Sequence, residues 1–470
     1  MAIAEPSPPQ LDKAQESIMQ GISSLLSLSG VGLSDATILS SICQLDTLRS
    51  LDLSKNFFTS LPGQHPPCPM KDGLQMLNFS SNRLSGQPGN FSGFPNLEVL
   101  DLSFNYLGGS ISTQLTYLLK LRSLNLTSNH FEGSVPTTMV PSLEELVLSG
   151  NNLSRAIPQS LLNLTMLCSF AGNQNRFHGA IPKGITKNIR MLDLSYNNLS
   201  GEIPSDLLLP DRLEAVDLIA NRLEGNLLNG RLPETIGNAM SLAYLELRGN
   251  QLVGSIPSQL GKCKNLALLD LSSNKLQGAL PVELGNLDQL VMVKLQKNNL
   301  SGYIPNSFSN MKKLEVFYLG ENSFTGEIPS RVVQLPKLCY IILHGNKLNG
   351  TIPSSISSLT GTIPMMPTKL NLIELGHNYL EGHIPSSIGM LSNLEFLDLS
   401  NNNLSGQVPS SLASLQSFIY LYLSYNQLSG PLPDLPRSVR LNVTGNPGLK
   451  NRTEDSDTPD NMAHTENDFR

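Results

Sequence analysis

The sequence predicts an α/β repeat solenoid, in which one short unit is copied many times along the chain. Three stretches are near copies of one another: LDLSYNNLSGEIPSDL from residue 192, LDLSSNKLQGALPVEL from 269 and LDLSNNNLSGQVPSSL from 397. The copies recur mostly every 24 residues, a period typical of solenoids. Within each copy, leucines alternate with polar residues as in a half-buried strand. Stacking such units buries one continuous core that a single unit cannot form.

The shared pattern is LxxLxLxxNxLxGxIPxxLxxLxx, and its Asn marks each unit. That Asn falls at 56, 82, 105, 129, 151, 175, 197, 221, 250, 274, 298, 322, 346, 378, 402, 426 and 446. An earlier, degenerate unit, LSLSGVGL, has Val31 at this place, so we count about 18 units. The spacing widens near 226–232 and 354–369. We therefore predict an irregular segment over 1–23, a solenoid over 24–449 and a disordered acidic tail over 450–470.

Each part of the unit predicts one structural element. The LxL segment predicts a strand with its leucines pointing inward, and stacked copies predict a long parallel sheet. The Asn amide can donate and accept, so it can bridge the backbones of adjacent turns. The Gly permits a positive φ, and the residue before Pro favours an extended chain. The final xxLxxL is too short for an α-helix and predicts a 3₁₀ turn.

Composition excludes several classes of function. The net charge is −6, and we find no basic stripe for nucleic acid. We find neither an apolar run long enough for a transmembrane helix nor a signal peptide at the N-terminus. The five cysteines are scattered, so we predict small buried thiols, with Cys68 as an exposed exception inside GQHPPCPMKDG. No GxSxG, HExxH or GxxxxGK[ST] motif occurs, and we predict no enzyme activity, no metal and no cofactor.

The repeat pattern resembles the plant-specific leucine-rich repeat of receptor-like kinases and receptor-like proteins. The resemblance runs from about residue 24 to 449. It implies a curved superhelix with a parallel β-sheet on the concave face and 3₁₀ and extended segments on the convex side. It also implies recognition of a peptide, a steroid or a microbial pattern at the plasma membrane, on the extracellular side.

The chain departs from that family at its ends. Family members usually begin with a cap that contains a Trp and a Cys pair, and this chain has no Trp. We also expect no such Cys pair here, and none after the last repeat. HRD, DFG and VAIK segments are absent, so the resemblance covers the extracellular repeat region and not the Ser/Thr kinase.

A departure from the usual Asp or Ser on the concave strand positions suggests a binding patch between units 298 and 378. Aromatic anchors beside mixed charges are typical of recognition surfaces. The predicted patch residues are Met292, Lys294, Gln296, Lys297, Tyr318, Glu321, Tyr340, Ile342, His344, Glu374 and His377. Tyr420, Tyr422 and Tyr425 form a second, weaker cluster.

Simpler explanations exist for these residues. The patch residues are also consistent with sequence variation without function on a solvated face. The recurrent Asp residues are consistent with a solvated ladder rather than catalytic carboxylates: Asp52, Asp101, Asp193, Asp217, Asp270 and Asp398. His344 and His377 lack a third metal ligand and fit a pH-responsive pair better than a zinc site.

The number of Asn-x-Ser/Thr sequons favours a protein that passes through the secretory pathway. Candidate glycosylation sites are Asn78, Asn90, Asn152, Asn163, Asn198, Asn299, Asn349, Asn403 and Asn442, with further sequons at Asn125 and Asn451. A glycan on Asn125, between strand leucines, would block the concave face.

The sequence favours a receptor-type ectodomain that binds a peptide, small molecule or protein partner on its concave face. A co-receptor kinase with the same repeats is a further candidate partner. Two alternatives remain: a truncated or intracellular scaffold, and a secreted inhibitor of a microbial wall-degrading enzyme.

Overall fold

The structure is a computed structural model, and it describes residues 24–450 apart from 35, 61–67, 90, 92, 112–114, 116, 222–226 and 358–369. The predicted segment 1–23, the tail beyond 450 and parts of the two irregular stretches lie outside the described residues. The chain divides into two compact units, Met1–Phe324 and Thr325–Arg470.

Short parallel strands, one in each repeat, form the long sheet. Of the 18 such strands in the described residues, 13 lie in the first unit and five in the second. Those of the first unit are Leu25–Ser27, Ser50–Asp52, Met76–Asn78, Val99–Asp101, Ser123–Asn125, Glu145–Val147, Ser169–Ala171, Met191–Asp193, Ala215–Asp217, Tyr244–Glu246, Leu268–Asp270, Met292–Lys294 and Val316–Tyr318. Those of the second are Tyr340–Ile342, Leu372–Glu374, Phe396–Asp398, Tyr420–Tyr422 and Arg440–Asn442. The predicted repeat solenoid with a long parallel sheet is therefore confirmed.

The alternation of the LxL segment decides which side of each strand is buried. In Leu268–Asp270 the middle Leu269 is fully buried, as is Leu271 just beyond the strand. Leu269 pairs with Leu245 of the preceding turn and Val293 of the following turn, so apolar residues lie above one another. Because each turn covers the leucines of its neighbours, the hydrophobic core runs along the stack.

The recurrent Asn forms the predicted ladder. Asn274 Nδ2 donates to the Leu247 carbonyl of the preceding turn at 2.9 Å and to the Leu271 carbonyl of its own turn at 3.1 Å. Its Oδ1 accepts the backbone N–H of Leu252 at 3.1 Å. One buried amide thus satisfies three backbone groups that the sharp turn removes from regular pairing.

A left-handed residue precedes each ladder Asn. The non-glycine residues with positive φ are Lys55, Ser81, Phe104, Ser128, Gln174, Tyr196, Ala220, Ser273, Lys297, Glu321, His377, Asn401 and Tyr425. This conformation turns the chain sharply out of the long sheet, and it carries a steric cost for any residue with a Cβ. The sequence does not indicate this conformation, because residue types at this place vary widely.

Short outer strands follow the ladder turn. In order they are Ser85–Gly86, Tyr106–Ser110, His130–Gly133, Asn152–Leu153, His178–Gly179, Asn198–Glu202, Leu227–Asn229, Val253–Gly254, Lys275–Ala279, Asn299–Gly302, Ser323–Gly326, Lys347–Leu348, Glu381–His383, Asn403–Gly406, Gln427–Pro431 and Gly448–Lys450. Many contain or end at the repeat glycine, as Gly278 does at φ +85°. The predicted positive φ at this glycine is confirmed.

The predicted 3₁₀ turns occur in eight units of the described residues. They are Gln159–Asn163, Glu234–Asn238, Ser258–Lys262, Val282–Asn286, Asn306–Asn310, Ser354–Ser357, Ser386–Met390 and Ser410–Ser414. Pro281, just before one of them, has φ −63° and ψ 132°, the extended conformation expected there. The described residues also contain two α-helices, Ala36–Ile42 and Met70–Gly73.

The expectation that the N-terminal repeats lack a cysteine pair was wrong. Cys43, directly after the first helix, forms a disulfide with Cys68, just before the second, and their Cα atoms are 4.6 Å apart. Cys68 is half-buried and bonded to Cys43, so the prediction of an exposed Cys68 was wrong. Cys263 is a buried thiol as predicted, and burial raises its pKa to about 11. Cys168 and Cys339 are only half-buried.

No helix in the described part of the chain is long and apolar enough to cross a membrane.

Candidate functional site

Where the third residue of a strand in the long sheet is Asp or Asn, its side chain closes the turn that follows, a role that the sequence pattern did not indicate. Asp270 Oδ1 accepts the backbone N–H of Ser272 at 3.0 Å and its hydroxyl at 2.6 Å. Asp52, Asp101, Asp193, Asp217 and Asp398 accept the N–H two residues ahead in the same way. Asp and Asn recur here because their short side chains close this turn. The prediction of a solvated Asp ladder was wrong for Asp270, which is 3% exposed.

Four carboxylates occupy this position on four successive strands of the first unit. We call Asp193, Asp217, Glu246 and Asp270 the acidic row. Asp193 is in register with Asp217, Asp217 with Glu246, and Glu246 with Asp270. Neighbouring strands lie about 4.8 Å apart, so the row extends over roughly 15 Å.

Burial and mutual repulsion raise the pKa of two members of the row. Burial is the largest cause of the rise in the pKa of Asp217 to about 7, and the charges of Asp193 and Glu246 raise it further. Burial also raises the pKa of Glu246, with Asp270 adding to the rise and Lys294 opposing it. Lys294 is in register with Asp270 and therefore ends the row with a positive charge. The row holds excess negative charge on a partly dehydrated face.

An apolar column runs beside the acidic row on the same face of the sheet. It consists of the first residues of the same strands and of the next one: Met191, Ala215, Tyr244, Leu268 and Met292. Residues two apart in a strand point to the same side, so each acid has an apolar neighbour. Met191 and Tyr244 are each 50% exposed. A face with exposed apolar side chains beside four carboxylates and one lysine can hold an apolar, positively charged chain.

The predicted patch residues of the first unit lie next to this surface. Met292 and Lys294 are on the strand that follows the acidic row, and Lys294 is in register with Tyr318. Lys297 Nζ lies 3.3 Å from Glu321 Oε1, and both residues have positive φ. Gln296 is half-buried next to Lys297.

The remaining predicted patch residues belong to the second unit. His344 Nδ1 lies 3.0 Å from Glu374 Oε2, and Glu374 is in register with Ile342. His377 Nε2 lies 3.3 Å from Asn401 Nδ2. Tyr340 is 37% exposed at the start of its strand. The structure thus joins these side chains in pairs, and the described residues contain no group of three or more His, Cys, Asp or Glu that could hold a metal.

The second predicted cluster gains members that its tyrosines alone did not indicate. Tyr420 and Tyr422 surround Phe396, with ring centroids 5.5 Å from it in both cases. The Arg440 guanidinium lies 5.4 Å from the centre of the Tyr420 ring. Burial raises the pKa of Tyr422. Tyr425 is 60% exposed at a positive-φ turn and makes no ring contact within the described residues.

The candidate glycosylation sites differ in their surroundings. Asn78 and Asn442 occupy the same strand position as Asn125, and all three accept the N–H two residues ahead. A glycan on Asn78 or Asn442 would therefore block the exposed face of the sheet, as a glycan on Asn125 would. Asn152, Asn163, Asn299, Asn349 and Asn403 are exposed, and Asn198 is half-buried. Asn90 and Asn451 lie outside the described residues.

Two models of leucine-rich repeats match the chain. The first matches residues 46–107, 72–131 and 288–348, and the second matches 142–164, 188–208, 241–263, 265–287, 393–415 and 417–438. Together they cover more than half of the sequence, and the chain belongs to the leucine-rich-repeat family. Neither model describes a kinase.

Within that family, the chain is similar to plant receptors. The plant peptide hormone receptor RGFR1 in complex with RGF2 has 27% identity and a TM-score of 0.78, with 92% of this chain and 72% of that chain covered. The Arabidopsis receptor kinase HAESA, in complex with the peptide hormone IDA and the co-receptor SERK1, has 28% identity and a TM-score of 0.56, with 90% and 86% covered.

A curated relative points to the same group. Receptor-like protein 41 of Arabidopsis thaliana is 43% identical over 95 residues, which are 20% of this chain. The match spans only 11% of the length of that relative. The resemblance to the extracellular repeats of plant receptor-like proteins, first indicated by the repeat pattern, is confirmed.

Proposed function

We propose that this chain is the ligand-recognition region of a plant cell-surface receptor, and that it binds an extended peptide or protein segment on the exposed face of its long sheet. The observation that carries the proposal is the acidic row beside the apolar column. A ligand crossing these four strands would need four to five extended residues, at about 3.3 Å each, to span the row. Basic side chains of the ligand would neutralise the row, and its apolar side chains would cover Met191 and Tyr244.

The extracellular location has two supports. The similar receptors RGFR1 and HAESA were solved with peptide hormones. The Cys43–Cys68 disulfide belongs to a class of bond that persists in oxidising compartments and is rare in the cytosol. Because HAESA was solved with a co-receptor, a co-receptor kinase is a candidate second partner of this chain as well.

The test is a binding screen with matched charge variants. The purified chain would be presented with a positional-scanning library of 12-residue peptides, and we expect enrichment of basic residues alternating with apolar ones. Asp217→Asn with Glu246→Gln removes two charges from the row with little change in shape. We expect the selected peptides to bind this variant at least tenfold more weakly and with less dependence on salt.

Asp52→Asn with Asp101→Asn is the control, because these residues occupy the same strand position away from the row. We expect it to bind the peptides within twofold of the unchanged chain. Equal weakening in both variants, or none in the first, would remove the acidic row from the proposal.

The patch predicted from the sequence is tested separately in each unit. Tyr318→Ala reports on the surface beside Lys294, and Tyr340→Ala reports on the surface of the second unit. Large-to-small changes at exposed aromatic anchors should weaken binding while leaving the fold intact. If both variants, alone and together, retain full affinity for a selected peptide, the ligand does not use this patch.

A further inference from the structure

A polar groove of about 440 Å³ lies on the outer strands of the first unit. It crosses the turns that carry Val253–Gly254, Lys275–Ala279 and Asn299–Gly302. Its lining consists of Arg231, Gly254, Ser255, Gln277, Gly278, Asn299, Ser301 and Ser323. This groove is separate from the acidic row, because the outer strands and the long sheet are different sheets of the fold.

The strand register places the polar side chains of the groove in rows. Gln277 is in register with Asn299, and Ser301 is in register with Ser323. Gly254 has φ +81°, and a Cβ built there would come within 3.0 Å of Arg231 Cγ. The absence of a side chain at this glycine therefore makes room for the Arg231 stem at one end of the groove.

The chemistry of the lining favours a ligand with many hydroxyl and amide groups. Within the described residues, the side chains of Arg231, Gln277, Asn299 and Ser301 form no hydrogen bond or ion pair with other protein groups. The lining includes one cation and no carboxylate. An apolar ligand would leave these polar groups unsatisfied, and a phosphate would call for more than one positive charge. A sugar chain offers both donors and acceptors along its length.

The groove also contains a point of attachment for such a chain. Asn299, Leu300 and Ser301 form a sequon, and both polar members of it line the groove. Other sequons at the same place in the repeat differ. Asn403 Oδ1 accepts a hydrogen bond from Gln427 Nε2, and Asn198 is half-buried.

We propose that Asn299 carries an N-linked glycan and that the inner sugars of this glycan lie in the groove, against Gln277 and Arg231. In the attachment step, Asn299 Nδ2 loses one proton and bonds to C1 of the first sugar. The bond from that carbon to a lipid-linked diphosphate breaks, and the diphosphate leaves with the electron pair. The proposal rests on the extracellular location given under the proposed function, since this transfer takes place in the secretory pathway.

The first experiment measures occupancy. The full chain, preceded by a secretion signal, would be expressed in plant cells, and each sequon would be quantified by glycopeptide mass spectrometry. Asn152 is the matched control, because it is exposed, occupies the same place in its repeat and lies outside the groove. We expect Asn299 to be occupied. An unoccupied Asn299 overturns the proposal, whether or not Asn152 carries a glycan.

The second experiment measures whether the glycan lies in the groove. Peptide N-glycanase would act on the native protein, and release from Asn299 should be at least fivefold slower than release from Asn152. In the double variant Arg231→Ala with Gln277→Ala, the rate of glycan release from Asn299 should rise to within twofold of the rate at Asn152. Two results would overturn the proposed position of the glycan in the groove. One is equal release rates at Asn299 and Asn152 in the unchanged chain, and the other is slow release at Asn299 that persists in the variant.

These outcomes are independent of peptide recognition. Ser301→Ala removes the sequon and leaves the acidic row untouched, so peptide affinity in this variant reports on the proposed function alone. Failure of the peptide screen with an occupied, protected Asn299 would reject the ligand proposal and keep the glycan site.

Discussion

Asp217 and Glu246 lie side by side on neighbouring parallel strands, in the same register and on the same exposed face of the sheet. Twenty-nine positions separate them in the sequence, because this unit is longer than the usual 24 residues. Their proximity joins the acids on either side into one continuous row. The row is the feature of the first unit that distinguishes its surface from that of a regular solenoid.

Neutralising Asp217 should stabilise the protein at neutral pH. Its pKa of about 7 in the folded state exceeds the ordinary value of 3.8, so the folded state holds the proton more tightly than the unfolded state. The contribution of Asp217 to stability therefore falls as pH rises from about 4 to about 7, and it is lost above that range. We expect Asp217→Asn to gain about 1–2 kcal/mol at pH 8, after allowance for solvent screening of a half-buried group.

Urea unfolding between pH 4 and pH 8 would measure this effect, and the gain should vanish near pH 4. Asp52→Asn is the control, since the residues in register with Asp52 are Ser27 and Asn78, neither of them charged. A gain in Asp217→Asn that does not depend on pH would contradict burial and repulsion as its cause.

Removing one ladder amide should destabilise the turns on both sides of it. Asn274→Ala leaves the N–H of Leu252 without its acceptor. It also removes one of two amide donors from the carbonyls of Leu247 and Leu271, which keep Asn250 and Asn298 respectively. We expect a cost of about 2–4 kcal/mol, because buried backbone groups are expensive to leave unpaired. Hydrogen exchange should rise over residues 245–276.

Asn349→Ala, at an exposed position, is the control and should change stability by less than about 0.5 kcal/mol. Equal effects in the two variants would show that the ladder contributes little.

The left-handed residue before the ladder Asn offers a stabilising substitution. Ala220 has φ 45°, a conformation in which a Cβ is strained, whereas glycine adopts it freely. Ala220→Gly should therefore stabilise the protein by about 0.5–1 kcal/mol. Gly150 takes the equivalent place at φ +65°, and a Cβ there would lie 3.3 Å from Ser128 Oγ, so Gly150→Ala should destabilise by a similar amount or more. Shifts in the urea midpoint with the same sign in both variants would contradict this account.

Loss of the disulfide should act on the first repeats alone. The bond links cysteines 25 positions apart, and closing such a loop restricts the unfolded chain by about 3 kcal/mol. Cys43→Ser should raise hydrogen exchange over residues 24–60 and leave residues 268–300 unchanged, because each repeat contacts only its neighbours. Cys168→Ser, a half-buried free thiol, is the control. Unaltered exchange at 24–60 would show that the helices hold the first repeats without the bond.

The sequence by itself determined the solenoid, since its leucine spacing, ladder Asn and Gly–x–Ile–Pro segment each favour the same local structure in every unit. These are short-range effects, and each copy of the pattern gives the same result. Only the tertiary structure decided which residues of different units meet. Parallel pairing placed Asp217 against Glu246 across an irregular unit and Gln277 against Asn299 on an outer strand. It also brought Cys68 to Cys43, from which it is 25 positions away in the sequence. Strand register and the pairing of separated cysteines depend on contacts between turns, and the sequence of a single unit does not contain those contacts.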